Sequence, residues 1–403
     1  MKIAIMGHGV VGSGVMELIR TNNTSITQKA GEAVEVKKIL DLKDFPELSY
    51  SDLFTKSFDD ILNDEEIGVV VETMGGINPS YNFVKQCLEH RKSVVTSNKE
   101  LVATKGAELI SIAKENDVNF LFEASVGGGI PIIKPLHLCL GANEIIEIAG
   151  ILNGTTNFIL TKMIEENMDF DVALRLAQKL GYAEKDPTAD IEGQDACRKI
   201  CILASLAFGK HIYPQNVHCE GITKISLSDA KNAEKLGGVI KLIGRAMPCE
   251  NKQLEIEVMP SIIMNDSQLA SVKDVFNAIL VRGNATGDVV FYGKGAGKLP
   301  TASAVVSDVI DAIRNPSYID TLSWIDSSDN NIVPYDEIVA DYYININIDD
   351  KNKALNIFDK VNIISEDKNC FAFTINSVKL KDITEKLNIE NIKANNIIKI
   401  LNY

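Results

Sequence analysis

The stretch MKIAIMGHGVVGSG, residues 1–14, decides how the first part of the chain folds. Ile3–Met6 is an uninterrupted apolar run, which reads as a buried strand. The pattern Gly7-x-Gly9-x-x-Gly12 follows and opens a helix over Gly12–Arg20. In such a loop the first glycine permits the tight turn and the second lets backbone approach a pyrophosphate. The third lets the helix pack on the strand. Unpaired N–H groups and the positive dipole end of the helix then face the phosphates. Gly7, Gly9, Val10, Val11 and Gly12 are therefore cofactor-binding candidates. A glycine pattern alone fits a plain turn equally well; its position at a strand–helix junction selects the binding reading. His8 fills a variable position and is expected to face solvent.

Outward from this loop, a second strand over Val34–Leu40 ends at Asp41, later than the usual spacing of about 20 residues. The insertion Thr21–Glu32 accounts for the delay. An acid there accepts the ribose hydroxyls of NAD, whereas a cation suits the extra phosphate of NADP. Lys43 stands two residues on, so Asp41 is a cofactor-binding candidate with NAD and NADP both open. Strands over Val69–Glu72, Ser93–Thr96 and Asn119–Glu123 alternate with helices over Pro79–His90 and Thr104–Glu115. That alternation predicts a Rossmann-like, doubly wound α/β domain over residues 1–130.

From Gly129 the texture changes to α+β. Strands are expected over 145–152 and 253–259, and helices over 158–180, 190–208 and 228–236, forming a domain over 131–296. The loop Gly293–Gly297 leads into a helix over Thr301–Arg314, so residues 297–316 are expected to return to the nucleotide domain, with Gly297 at the cofactor. Pro316–Pro334 turns polar and irregular, as linkers do. Residues 335–403 then read strand, helix, strand, helix, strand, a small α+β module.

Composition narrows the function class. The formal charge of −14 disfavours nucleic-acid or anionic-membrane partners, which require clustered Lys and Arg. Seven scattered cysteines without a CxxC imply free thiols in a reducing compartment, so a cytoplasmic protein is expected. Cys197 and Cys201 share a helix face among apolar neighbours and read as buried thiols. The first strand begins at once, so no leader is expected, and no apolar run approaches the ~20 residues of a membrane span.

Polar groups concentrate in GYAEKDPTADIEGQDACRK, residues 181–199. Asp190 is read as capping a helix that runs to Phe208 and stops at Gly209. On it Glu192, Asp195 and Lys199 form one stripe. An Asp–Lys pair at this spacing can be a mere surface pair worth ~0.2–0.5 kcal/mol. Beyond Lys199, however, the helix reads ICILASLAF, which belongs in a core. Charges at the mouth of a buried helix point to a site.

This segment resembles the signature of homoserine dehydrogenases. SVVTSNKELVA (93–103), FEASVGGGIPII (122–133), LNGTTNFIL (152–160) and YGKGAGKLPTASAVVSD (292–308) resemble the family's other blocks in the same order, over roughly residues 1–316. The resemblance implies reversible, NAD(P)-dependent reduction of aspartate 4-semialdehyde to homoserine, a step toward threonine, methionine and isoleucine. It implies Lys199 or Lys99 as proton donor and Asp195 as the residue that binds substrate and holds Lys199. Glu184 and Asp190 would contact the amino-acid substrate. Separately, the run Asn153-Gly154-Thr155-Thr156-Asn157, Thr155 among them, offers backbone and hydroxyl groups to a small polar substrate and also reads as a helix N-cap. Gly181 and Lys99 would lie against the cofactor. Glu123, with the carbonyls of Val126, Gly128 and Ile130, resembles the family's sodium site, one carboxylate plus carbonyl oxygens suiting a hard cation. A homodimer or homotetramer through the α+β domain is implied, and no fused aspartokinase is expected.

Two rival readings stand beside this one: a semialdehyde enzyme with a cysteine nucleophile at Cys139, near His137, and a non-catalytic nucleotide sensor. The family often carries a C-terminal ACT module that senses threonine. Residues 335–403 keep its outline but read as short by a strand, without the usual glycine-containing turn at Asp350-Lys351-Asn352-Lys353-Ala354-Leu355. A degenerate ACT-like module is expected, so millimolar threonine should leave the rate of homoserine oxidation nearly unchanged. Strong inhibition in that assay would contradict the reading.

Overall fold

Apolar runs too short to do anything but pair with one another organise the first domain. The computed structural model describes residues 1–249, 253–318, 324–326 and 331–403. In it β1 (Lys2–Met6), β2 (Glu35–Leu40), β3 (Phe54–Thr55), β4 (Ile67–Glu72), β5 (Ser93–Thr96) and β6 (Phe120–Leu121) form a parallel sheet in the order β3-β2-β1-β4-β5-β6. Strand order reverses beside β1, and ligands of such sheets lie at that switch point, outside the carboxyl ends of the strands. Ile3, Ala4, Ile5 and Met6 are fully buried, as the continuous apolar run requires.

The helices differ from expectation in informative ways. The insertion after Thr21 is itself a helix, Asn23–Ala30, closed by Gly31 in a left-handed conformation (φ 82°). The helix expected from Thr104 begins at Lys99, because Asn98 caps it by accepting the Leu101 N–H. Helix Lys298–Arg314 packs back onto helix Val10–Thr21. There a Cβ on Gly14 would lie 2.9 Å from the Lys298 carbonyl oxygen and 3.0 Å from the Ala302 Cβ.

The second sheet contains β7 (Ile145–Ile151), β8 (His218–Cys219), β9 (Gly238–Pro248), β10 (Leu254–Met264), β11 (Phe276–Gly283) and β12 (Gly287–Lys294). Strands β9, β11 and β12 were not anticipated: β9 and β11 are buried along most of their length, so neither shows a clean two-residue alternation. The single helix expected over 158–180 is two, Gly154–Glu165 and Phe170–Lys179, broken near Asn167 at φ 51°.

The C-terminal module adds β13 (Val339–Asn347), β14 (Asn362–Glu366), β15 (Cys370–Lys379) and β16 (Ala394–Leu401), with helices Lys351–Ile357 and Leu380–Ile389 between them. It is not short by a strand: β14, a largely exposed edge strand without apolar alternation, completes a βαββαβ order. Nor does the module stand apart. Strand β16 runs parallel to β10, so one sheet continues as β12-β11-β7-β9-β10-β16-β13-β15-β14. The linker expected over Pro316–Pro334 falls partly outside the described residues. Within it Trp324 is buried and donates to His211 Nδ1 at 2.8 Å, so that part is anchored. Among the described residues no helix is long and apolar enough to cross a membrane.

Polar groups weld the joint. Asp229 accepts from the Tyr343 hydroxyl (2.9 Å), Asn345 (2.8 Å) and Asn396 (2.7 Å). Lys399, its side chain 3% exposed, pairs with Glu257 at 2.5 Å and Glu255 at 2.9 Å. Removing one partner of a buried pair strands the other charge, at roughly 3–5 kcal/mol. Lys399→Met should therefore destabilise the protein by about that amount in urea unfolding; a loss below ~1 kcal/mol would place the pair among surface bridges.

Candidate active site

Two backbone termini meet to build the site. At the carboxyl end of β5, Thr96 donates to the buried Glu72 (2.6 Å), and Asn98 donates to the Gly76 carbonyl (2.6 Å). These bonds fix the turn that presents Lys99 as the first residue of its helix. From the other side, helix Gln194–Phe208 starts at Gly193, in a left-handed conformation (φ 79°). Asp195 and Lys199 lie one turn apart on it and both are buried. Beyond Lys199 the helix is packed in the core to Leu206 and stops at Gly209, as expected.

Two details of the expected helix are corrected. Glu192 is not on it: residues 188–191 form a separate turn, and Gly193 breaks the register between them. Asp190 does not cap it but accepts a hydrogen bond from Asn153 Nδ2 at 2.7 Å.

Asp195 is the hub. Its Oδ1 lies 2.5 Å from Lys99 Nζ and its Oδ2 2.8 Å from Lys199 Nζ. Lys199 also donates to the Leu152 carbonyl (2.7 Å), and Asn153 Nδ2 donates to Asp195 Oδ2 (2.8 Å). Burial works against the charge of Asp195, but Lys199 and Lys99 overcome it and hold the carboxyl well below the usual carboxylate range. Burial pushes Lys199 below the ordinary lysine value of 10.5, Lys99 adds to that push, and Asp195 opposes it. Burial disfavours the Lys99 ammonium too, yet Asp195 outweighs it and the net shift is upward. Of the two neighbouring lysines, only Lys199 is shifted downward. Burial and the Asp195 charge raise Asp190, against the pull of its bond from Asn153.

Asn153 is the cap that the NGTTN run suggests, and its bridge between two carboxylates is not legible there. Its Oδ1 caps helix Gly154–Glu165 by accepting the Thr156 N–H (2.9 Å), while its amide bridges Asp190 and Asp195. The only available signal was its place as cap in the NGTTN run. Thr155 donates to the Tyr182 carbonyl (2.7 Å) and so ties this helix to the 181–187 loop. Gly181 closes helix Phe170–Lys179 at φ 77°. Glu184 is exposed on that loop, and within the described residues no hydrogen bond or ion pair joins its carboxylate to the lysine cluster.

The glycine loop has the form a dinucleotide needs. Gly7 stands at φ 93°, and a Cβ on Gly12 would lie 2.0 Å from the Gly7 oxygen. A Cβ on Gly9 would meet nothing within 4 Å, so open space faces the unpaired N–H groups of Val10 and Val11. An open groove of about 810 Å³, lined by His8, Gly9, Val10, Arg20, Tyr50 and Lys298, lies alongside. His8 does not face solvent. It is 6% exposed, edge-on to Phe45 and Phe54 with ring centroids 5.0 Å away in each case, because the segment after β2 folds over it. Asp41 accepts from the His8 N–H (2.7 Å). Gly297, at φ 129°, precedes helix Lys298–Arg314.

The Glu123 carboxylate accepts the N–H groups of Ile132 (2.7 Å), Ile133 (2.9 Å) and Lys134 (2.9 Å), which fill three of its about four acceptor sites. Among the described residues no backbone N–H outside the helices and strands donates to the carbonyls of Glu123, Val126, Gly128 or Ile130. Cys139 is exposed in a π-helical turn, Pro135–Cys139, and takes no part in the lysine cluster.

Residues 131–310 match the homoserine dehydrogenase family profile, and residues 7–123 match that of the homoserine dehydrogenase NAD-binding domain. The chain belongs to the homoserine dehydrogenase family. A homoserine dehydrogenase of Synechocystis sp. is 43% identical over 357 residues, 85% of this chain and 82% of that protein. One from Bacillus subtilis is 40% identical, over 78% of this chain and 73% of that protein. The crystal structure of a homoserine dehydrogenase from Thiobacillus denitrificans has a TM-score of 0.91 at 34% identity, covering 100% of this chain and 98% of that one. A hyperthermophilic archaeal homoserine dehydrogenase in complex with NADPH has a TM-score of 0.65 at 29% identity, covering 77% and 97%.

As a homoserine dehydrogenase, the chain is an NAD(P)-dependent oxidoreductase of a CH–OH group, interconverting homoserine and aspartate 4-semialdehyde. In such an enzyme, Asn153→Asp keeps the helix cap but sets a third carboxylate beside Asp195. It should raise the proton affinity of Lys199 and move the pH–rate limb of homoserine oxidation upward. An unmoved limb with lowered stability would leave Asn153 with a capping role only.

Proposed function

We propose that Lys199 gives the proton to the substrate oxygen during aldehyde reduction and takes it back during homoserine oxidation. The bound nicotinamide supplies or accepts the hydride. As hydride adds to the aldehyde carbon, the oxygen gains negative charge and needs a donor at hydrogen-bond distance. The observation that carries this assignment is the contrast between the two lysines: Lys199 is buried with lowered proton affinity, whereas Lys99 is held charged by Asp195. An ammonium has three donors, and Lys199 directs two of them to Asp195 and the Leu152 carbonyl, leaving one for substrate.

Asp195 orients both lysines, and Asn153 holds Asp195. Lys99, its side chain 41% exposed, stands at the mouth, between cofactor and substrate. Glu184 and Asp190 receive the substrate ammonium, and Thr155 holds the loop that carries Glu184. Gly7, Gly9, Val10, Val11, Gly12, Asp41, Gly181 and Gly297 border the cofactor. A sodium ion is held by the carbonyls of Glu123, Val126, Gly128 and Ile130. A homodimer or homotetramer through the 131–296 domain, in the cytoplasm, completes the reading. The C-terminal module is ACT-like in strand and helix order, its sheet continuous with that of the substrate domain.

Purified protein given homoserine with NAD or NADP should reduce one of them, followed at the nicotinamide absorbance; no reduction with either would sink the reading. Lys199→Ala should cost ~10²–10⁴ in kcat while cofactor affinity stays unchanged. Oxidation requires neutral Lys199 and reduction requires the ammonium. Oxidation should therefore rise with pH, and reduction fall, through one limb below 10.5. Turnover that survives in Lys199→Ala would move the proton to Lys99.

A further inference from the structure

Asp41, which takes no part in proton transfer, is held with unusual care. It follows β2 directly, and each of its carboxylate oxygens takes one backbone donor, Oδ2 the His8 N–H at 2.7 Å and Oδ1 the Lys43 N–H at 2.9 Å. The carboxylate is therefore fastened to the glycine loop itself and is not free to swing into solvent. A carboxylate has about four acceptor sites, so acceptor capacity remains on both oxygens. A dinucleotide with its pyrophosphate on helix Val10–Thr21 sets its adenosine ribose at the carboxyl end of β2. Resting on that reading of the loop, we propose that Asp41 makes this enzyme select NAD(H) over NADP(H).

The ribose hydroxyls of NAD are donors, and the fixed carboxylate is an acceptor. In NADP one hydroxyl becomes a phosphate monoester carrying about −1.5 to −2 charges at neutral pH, which meets Asp41 as a like charge. The surroundings offer little to offset it. Leu42, 87% exposed, follows Asp41 and has no donor on its side chain. The Arg20 guanidinium donates to the Ser49 hydroxyl and lies 5.2 Å from the Tyr50 ring centroid. Lys298 pairs with Glu17 at 2.7 Å, and Lys56 with Asp44 at 2.8 Å. Burial lowers the proton affinity of His8, so a neutral imidazole adjoins the loop. Lys43 remains as the cation that a phosphate could recruit, and for that reason it enters the test.

The test is calorimetric titration of the full chain with NADH and with NADPH at one ionic strength. NADH should bind at least roughly tenfold more tightly. Asp41→Asn, which keeps an acceptor but removes the charge, should narrow that ratio, chiefly by tightening NADPH. NADPH binding as tightly as NADH to the unaltered chain would overturn the proposal. So would a ratio unchanged in Asp41→Asn, or tighter NADPH binding that disappears in Lys43→Ala. Binding of neither nucleotide would instead overturn the reading of the glycine loop, and this proposal with it.

Discussion

The Asp195 carboxylate, buried between two ammonium groups, is the constraint around which the catalytic region is arranged. A carboxylate removed from water is costly unless paired and hydrogen-bonded. Here Lys99, Lys199 and Asn153 pair it, one from the nucleotide domain and two from the substrate domain. The same contacts that offset its burial also join the end of β5 to helix Gln194–Phe208. The cluster therefore draws together residues 99, 153, 195 and 199, and its packing depends on one charge.

That charge also divides labour between the lysines. Both face Asp195, yet Lys99 keeps partial exposure and Lys199 does not. Burial disfavours the charge on both; at Lys99 the pull of Asp195 and Asp190 outweighs it, whereas at Lys199 burial together with the Lys99 charge outweighs Asp195. Environment, not residue type, moves the two proton affinities in opposite directions.

Away from the site, the continuous sheet binds the C-terminal module to the substrate domain. With β16 seated on β10 and Lys399 between Glu255 and Glu257, its last strand is part of the framework behind the catalytic helix. The module is thus attached through the backbone hydrogen bonds of a shared sheet.

Much of this was legible without coordinates. The glycine loop, the alternating strands and helices of the first domain, and the pairing of Asp195 with Lys199 rest on local periodicity and spacing, which a sequence displays directly. Helix Gln194–Phe208 was legible through its apolar run and its terminal glycine. Other features depend on residues far apart in the chain. The bond from Asn98 to the Gly76 carbonyl, the bridge from Asn153 to Asp190 and Asp195, and the burial of His8 under Phe45 and Phe54 are of this kind. So is the diversion of the Glu123 carboxylate to three backbone N–H groups. Sequence by itself determined which groups were present and which shared a helix face. Only the tertiary structure decided which of them are buried together, and the balance of burial against neighbouring charge is what sets the proton affinities of Lys99 and Lys199 apart.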